Sequence, residues 1–217
     1  MEVTLKIYRF NPEVNQNPYF QDFIVSANEK ETVLDALFKA WQQDTSLSFR
    51  RSCRSAICGS CALVINGKPS LACHTLIRDV LCNDGLITLE PLPHYRQIKD
   101  LVVDLEPFFE SLKSIVPWVI TRPDHNGYMS PKAAWAIENP ATCILCGICN
   151  VTTGLTNGIK PVAVVKSLRL AIDPRDRLGA TRLQLINLPP KVIESFIKEL
   201  SEKCPKKITL PEKLPLF

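Results

Sequence analysis

Nowhere does this 217-residue sequence stay apolar for the roughly 18 consecutive residues that a membrane-crossing helix requires. Any membrane association is therefore expected to be peripheral or through a partner. The opening stretch "MEVTLKIYRF" lacks the continuous apolar core of a secretion signal; it alternates polar and apolar residues, which predicts a strand and a protein that stays in a reducing compartment. There is no G-x-G-x-x-G fingerprint and no flavin-anchoring pattern, so substrate chemistry by this chain itself is not expected. Internal repeats and low-complexity tracts are missing as well. Histidine is scarce, with three residues. His74 follows a cysteine whose ligand set is complete without it, and His94 and His125 lie in Pro- or Gly-rich loops, so none is assigned a role.

What the sequence does contain is cysteine. Nine cysteines in a reducing compartment read as metal ligands rather than disulfides. Cys53, Cys58, Cys61 and Cys73 form one group and Cys143, Cys146 and Cys149 another, while Cys82 and Cys204 stand alone. The formal charge of +4 invites a nucleic-acid partner. An oxidised [2Fe–2S] centre and a [4Fe–4S] centre, thiolates included, each bring a charge of about −2. Two such clusters return the protein to near neutrality, so no nucleic-acid partner is inferred.

The stretch "SCRSAICGSCALVINGKPSLAC" is C-x4-C-x2-C with a fourth cysteine further on, the plant-type spacing for [2Fe–2S]. A tight loop bearing Gly59 and Ser60 brings three thiolates around two irons, with backbone N–H groups free to point at sulfur. Cys73, on the return strand of a hairpin, closes the far iron. Zinc prefers paired C-x2–4-C knuckles to this ladder. Arg50, Arg51 and Arg54 flank the loop, either as charge stabilisation or a docking rim, or as a solvated basic edge. Cys82 is expected to be a non-ligand thiol.

"ATCILCGICNVTTG" carries C-x2-C-x2-C, the ladder of a cubane cluster, but Thr153 stands where a fourth cysteine would continue it. In two-cluster ferredoxins the fourth cysteine of each ladder ligates the other cluster. The distant partner of this ladder is therefore a cysteine followed by proline, which is Cys204 in "EKCPKK". Cys143, Cys146, Cys149 and Cys204 make a complete [4Fe–4S] set. A zinc site on the same thiolates, or an empty ladder, stays open as an alternative.

Residues 2–10 and 20–25 read as strands. "ETVLDALFKAW" has helical apolar spacing and an N-cap pattern at Thr32 and Asp35. "CALVI-NG-KPSLAC" signals a hairpin with a type I′ turn at Asn66-Gly67, and "LITLE" another strand. These predict an α+β protein with a β-grasp domain over 1–95. The second half, 96–217, reads as helical. Its signals are the apolar positions 101, 105, 108, 112 and 115, Pro161 opening "PVAVVKSLRLAI", and one apolar face in "KVIESFIKELSEKC". The tail after Pro205 is Pro- and Lys-rich and is expected to be poorly ordered.

"IYRFNP", "LSFRRSCRSAICGSCAL", "IKDLVVDL", "CILCGIC" and "SLRLAIDPRD" together give a chain that resembles the iron–sulfur subunit of succinate dehydrogenase/fumarate reductase (complex II) along nearly its whole length. The resemblance implies a plant-type ferredoxin domain followed by an all-α, bacterial-ferredoxin-like domain. It also implies an FAD-containing flavoprotein partner, a membrane-anchor partner, and a peripheral position on the inner face of the cytoplasmic or mitochondrial inner membrane. The family's third centre, [3Fe–4S], is expected to be absent here. Thr153, Glu194 and Leu200 occupy its ligand positions, Ser195 stands where a quinone-pocket histidine would be, and "GLTNGIK" lacks the quinone-wall tryptophan. Electrons would then run from flavin to [2Fe–2S] to [4Fe–4S] and on towards an anchor or quinone. A soluble flavoprotein-linked module with another acceptor, or a structural subunit of a larger respiratory assembly, are the competing readings.

Overall fold

The computed structural model describes residues 1–14, 17–124, 126–151, 160–186 and 189–210. They divide into two compact units, Met1–Leu105 and Glu106–Phe217. Thr153, His125, most of the "GLTNGIK" segment and the last seven residues lie outside the described residues.

The first unit is a five-stranded mixed sheet of order β2-β1-β5-β3-β4. Its strands are β1 (Glu2–Arg9), β2 (Tyr19–Ser26), β3 (Ala62–Ile65), β4 (Lys68–Leu71) and β5 (Leu86–Glu90). β1 pairs antiparallel with β2 and parallel with β5. The alternation of β1 puts Val3, Leu5 and Ile7 on one fully buried face. Helix α1 (Val33–Gln43) covers the sheet with Val33, Leu34, Ala36, Leu37 and Ala40. Each large side chain so buried contributes roughly 1.5–3 kcal/mol. Thr32 and Asp35 form a complete capping box: Thr32 Oγ1 accepts from Asp35 N, and Asp35 accepts from Thr32 N at 2.9 Å. Asn66 and Gly67 both adopt positive φ, 47° and 76°, as a type I′ hairpin turn demands.

The apolar spacing from Leu101 does not start a helix there. Residues 97–103 instead form a small hairpin, β6 (Gln97–Lys99) and β7 (Val102–Val103), which folds with the first unit. Asp100, left-handed at φ 47°, turns the hairpin. Its buried carboxylate accepts from Arg9 Nε at 3.1 Å, Phe10 N at 3.0 Å and Ser48 N at 2.8 Å. A charge that is 1% exposed is held only by partners of this kind, and they come from β1 and from the loop after α1. The short helix α2 (Ile77–Val80) completes the unit.

The second unit contains α3 (Glu106–Lys113), α4 (Pro131–Ala141), a 3-10 turn (Ile148–Val151), α5 (Pro161–Ala171), α6 (Gly179–Ile186) and α7 (Pro190–Lys203). Proline opens α4, α5 and α7, where its missing N–H costs nothing. α5 is central and buried along almost its whole length. One face of α7, with Ile193, Phe196, Ile197 and Leu200, closes the core against it. Arg182 on α6 is 1% exposed, pairs with the buried Asp176, and donates to the carbonyls of Ile115, Val116 and Trp118. Of the tail after Pro205, expected to be poorly ordered, Ile208 and Leu210 enter the core, while residues 211–217 lie outside the described residues. Among the described residues no helix is long and apolar enough to cross a membrane.

Candidate metal centres

The first cysteine group lies on the loop between α1 and β3, closed by the 3-10 turn Ala72–His74 after β4. The loop is wound by positive φ at Arg54, Ala56 and Gly59, which swings successive N–H groups inward. Three of them aim at Cys53 Sγ: Ser55 N at 3.4 Å, Ile57 N at 3.4 Å and Cys58 N at 3.2 Å. Ala56 N donates to Cys73 Sγ at 3.3 Å, Cys73 N to Cys61 Sγ at 3.4 Å, and Ser60 Oγ lies 3.1 Å from Cys58 Sγ. This concentration of donors favours sulfur in its anionic form. At Cys53 the Ser55, Cys58 and Ile57 amides pull the thiol down to about 6. At Cys61 burial dominates and pushes the thiol up to about 12.

The thiols also act on one another, Cys53 with Cys58, and Cys61 with Cys73 and Cys58. Four thiols gathered on one loop and the turn after β4, lined by amides pointing at sulfur, fit an iron–sulfur centre. Among the described residues no three His, Cys, Asp or Glu side chains stand as a single-ion site.

The flanking arginines are neither free rim charges nor buried. Arg51 stacks over Phe38, Phe49 and Trp41 at 4.8, 5.4 and 5.8 Å from the ring centres, and Arg54 over Phe38 at 4.5 Å. An aromatic platform from α1 and the following loop thus fixes two cations beside the cysteine loop. The residues were visible in the sequence, but only the fold brings 38, 41 and 49 together. Exposed Cys82 lies between α2 and β5, where Asn66 Nδ2 of the β3–β4 turn reaches its sulfur at 3.6 Å. His74 and His94 are exposed.

In the second unit Cys143, Cys146, Cys149 and Cys204 line one apolar pocket together with Leu200 and Ile208. The ladder is wound by positive φ at Leu145 and Gly147, 54° and 81°. Burial pushes the Cys146 thiol up to about 12. Cys149 rises well above its ordinary value, through burial and then through Cys146, Cys143 and Cys204. Four thiols in one apolar pocket, with ionisation opposed at Cys146 and Cys149, are a poor anion cluster alone and a fitting cage for a polynuclear iron centre, whose positive charge reverses that balance. Leu200 fills the core beside this pocket, while Glu194 and Ser195 are exposed on α7.

Residues 4–110 match the model of a 2Fe-2S iron-sulfur cluster binding domain. The chain is 35% identical to the fumarate reductase iron-sulfur subunit of Haemophilus influenzae, over 95% of this chain and 88% of that one. It is 38% identical to the mitochondrial succinate dehydrogenase [ubiquinone] iron-sulfur subunit 3 of Arabidopsis thaliana, covering 93% and 69%. Against the succinate dehydrogenase iron-sulfur subunit of Coxiella burnetii the identity is 32%, covering 95% and 91%. A chain of the Mycobacterium smegmatis Sdh1 complex in the apo form superposes with a TM-score of 0.77 at 23% identity, over 95% of this chain and 89% of that one, a likeness of fold.

Proposed function

Because the chain belongs to the iron–sulfur subunits of succinate dehydrogenase and fumarate reductase, an oxidoreductase electron-transfer role follows, and we propose that this role rests on two clusters held by eight cysteines. Cys53, Cys58, Cys61 and Cys73 would hold a [2Fe–2S] centre in the first unit, a β-grasp plant-type ferredoxin domain. Cys143, Cys146, Cys149 and Cys204 would hold a [4Fe–4S] centre in the second, an all-α, bacterial-ferredoxin-like domain. When bound, such clusters accept and release single electrons at potentials set by hydrogen bonds to sulfur and by burial. The residues of this chain set those conditions. Amides of Ser55, Ala56, Ile57, Cys58 and Cys73 hold charge on sulfur at the first site. Stacked Arg51 and Arg54 add fixed positive charge next to it, and apolar walls exclude water at the second.

The partners that fit this reading are an FAD-containing flavoprotein, which carries out the succinate–fumarate chemistry, and a membrane-anchor subunit. The protein would lie peripherally on the inner face of the cytoplasmic or mitochondrial inner membrane, in a reducing compartment. A third, [3Fe–4S], centre is not part of the proposal. The core position of Leu200 and the exposure of Glu194 support leaving it out.

The observation that carries the reading is the meeting of Cys204 with the ladder in one pocket. Iron and acid-labile sulfide per chain, with EPR on anaerobically purified protein, test it. About six irons and no oxidised-state [3Fe–4S] signal support two clusters. About two irons mean that the ladder is empty and the second unit structural. Cys204→Ser should abolish the cubane signal and leave the [2Fe–2S] signal intact.

A further inference from the structure

Cys204 reaches the pocket on a segment that leaves α7, reverses, and continues to Leu210. Lys207 N closes the reversal on Cys204 O at 2.9 Å, with Lys207 left-handed at φ 50°. Beyond it burial alternates as in a strand: Ile208 and Leu210 are 2% and 6% exposed, while Lys207 and Thr209 face outward. A strand needs an edge partner. Asn139, near the end of α4 and one turn before Cys143, supplies one. Its Nδ2 donates to Lys207 O at 3.1 Å, and its Oδ1 accepts from Thr209 N at 2.7 Å and from Thr209 Oγ1 at 3.3 Å. Residue 139 is itself held, because its carbonyl accepts from Thr142 N at 3.0 Å and Thr142 Oγ1 at 2.7 Å.

We propose that Asn139 is a positioning residue that clamps the Cys204 arm to the Cys143–Cys149 ladder, and so sets how firmly the second cluster is held. The proposal rests on the assignment of Cys204 as the fourth ligand. One amide spans Lys207 and Thr209 as a neighbouring strand would, joining the segment that enters the ladder to the segment that leaves Cys204. Among the described residues these are the side-chain hydrogen bonds that join the two segments directly, and the contact is exposed, so it is the point at which the split ligand set opens first.

The test compares full-length wild type, Asn139→Ala and Asn139→Asp. It measures iron per chain, the rate at which a ferrous chelator strips the cubane, and hydrogen exchange of the Thr209 amide. Loss of the two bonds to backbone, Nδ2 to Lys207 O and Thr209 N to Oδ1, is expected to speed opening roughly fivefold each, so Asn139→Ala should lose the cubane roughly 25-fold faster. The [2Fe–2S] signal should not change. Thr209 exchange should accelerate by a similar factor. Asn139→Asp keeps the acceptor and loses the donor, and should fall between the two. Equal stripping rates in all three proteins, with wild type holding both clusters, overturn the clamp. If wild type lacks the cubane, the ligand assignment fails, and Thr209 exchange alone decides: faster exchange in Asn139→Ala upholds the tether, and unchanged exchange overturns it.

Discussion

Replacing Arg182 with methionine probes the buried ion pair at the heart of the second unit. Methionine fills most of the volume but removes the charge, leaving the enclosed Asp176 side chain without its ion-pair partner. It also strips the donors from the carbonyls of Ile115, Val116 and Trp118. Val116 is a β-branched residue held at φ 50°, a conformation that costs about 1–3 kcal/mol and persists only where its surroundings fix it. Breaking one side of a buried pair costs about 3–5 kcal/mol. In a unit of this size each kcal/mol lowers the melting midpoint by roughly 4 °C, so a fall of roughly 12–20 °C is expected. Far-UV circular dichroism on heating measures it. Asp176 retains bonds from Ile120 N at 2.8 Å and Leu178 N at 3.0 Å, so neutralising it as well should recover part of the loss. Arg182→Met with Asp176→Asn is therefore expected to melt above Arg182→Met alone. A single-variant shift under about 4 °C, or strict additivity in the double variant, would refute the reasoning.

Gly179→Ala sets two effects against each other. Helix propensity favours alanine by up to about 1 kcal/mol, but the new Cβ would sit 2.8 Å from Ala171 Cα, a backbone atom that does not yield. Net destabilisation of about 1–3 kcal/mol is expected from chemical denaturation, and a stabilised variant would contradict the close approach of α6 to α5. Acid should weaken the fold below about pH 4. Hydrogen bonds from Ser46 and then Arg9 hold Asp44 well below its ordinary value. At Asp173 burial opposes ionisation, but the bonds from Arg175 win and lower it. Both folded values are depressed, so their contribution is complete above the unfolded value near 4 and is lost as pH falls through the folded ones. A denaturation midpoint that stays level down to about pH 3 would show that these pairs contribute nothing. Thr32→Ala removes one half of the capping box and should cost about 1 kcal/mol in the first unit, read as a lowered denaturant midpoint.

Local chemistry was legible in the sequence. The Thr32–Asp35 cap, the Asn66-Gly67 turn and proline at the start of α5 depend on residues a few positions apart, and each forms as its spacing predicts. Both cysteine sets could likewise be assembled on paper, the second because a ladder missing a member requires a distant one. What escaped depends on distance. The apolar spacing from Leu101 suits a helix, but Asp100 gains three donors from β1 and the loop after α1 by turning, and those lie far back in the chain. Phe38 and Trp41 show in the sequence only as part of a helical apolar spacing, and Phe49 not at all, until the fold sets all three beneath arginine. Asn139 carries no local signal, because its two partners lie beyond Cys204.

The two sets of thiols also differ in when they exist. Cys53 to Cys73 form one continuous stretch of the first unit, whereas α5, α6 and α7 all intervene between Cys149 and Cys204. On the ribosome, the first site is complete once the β3–β4 hairpin has emerged. On the proposed assignment the second stays one thiol short until three more helices have been made and the last has turned back on the core. A chain cut anywhere within those helices therefore keeps all four thiols of the first set and lacks the last of the second, and on that assignment its iron content would record how far its synthesis went.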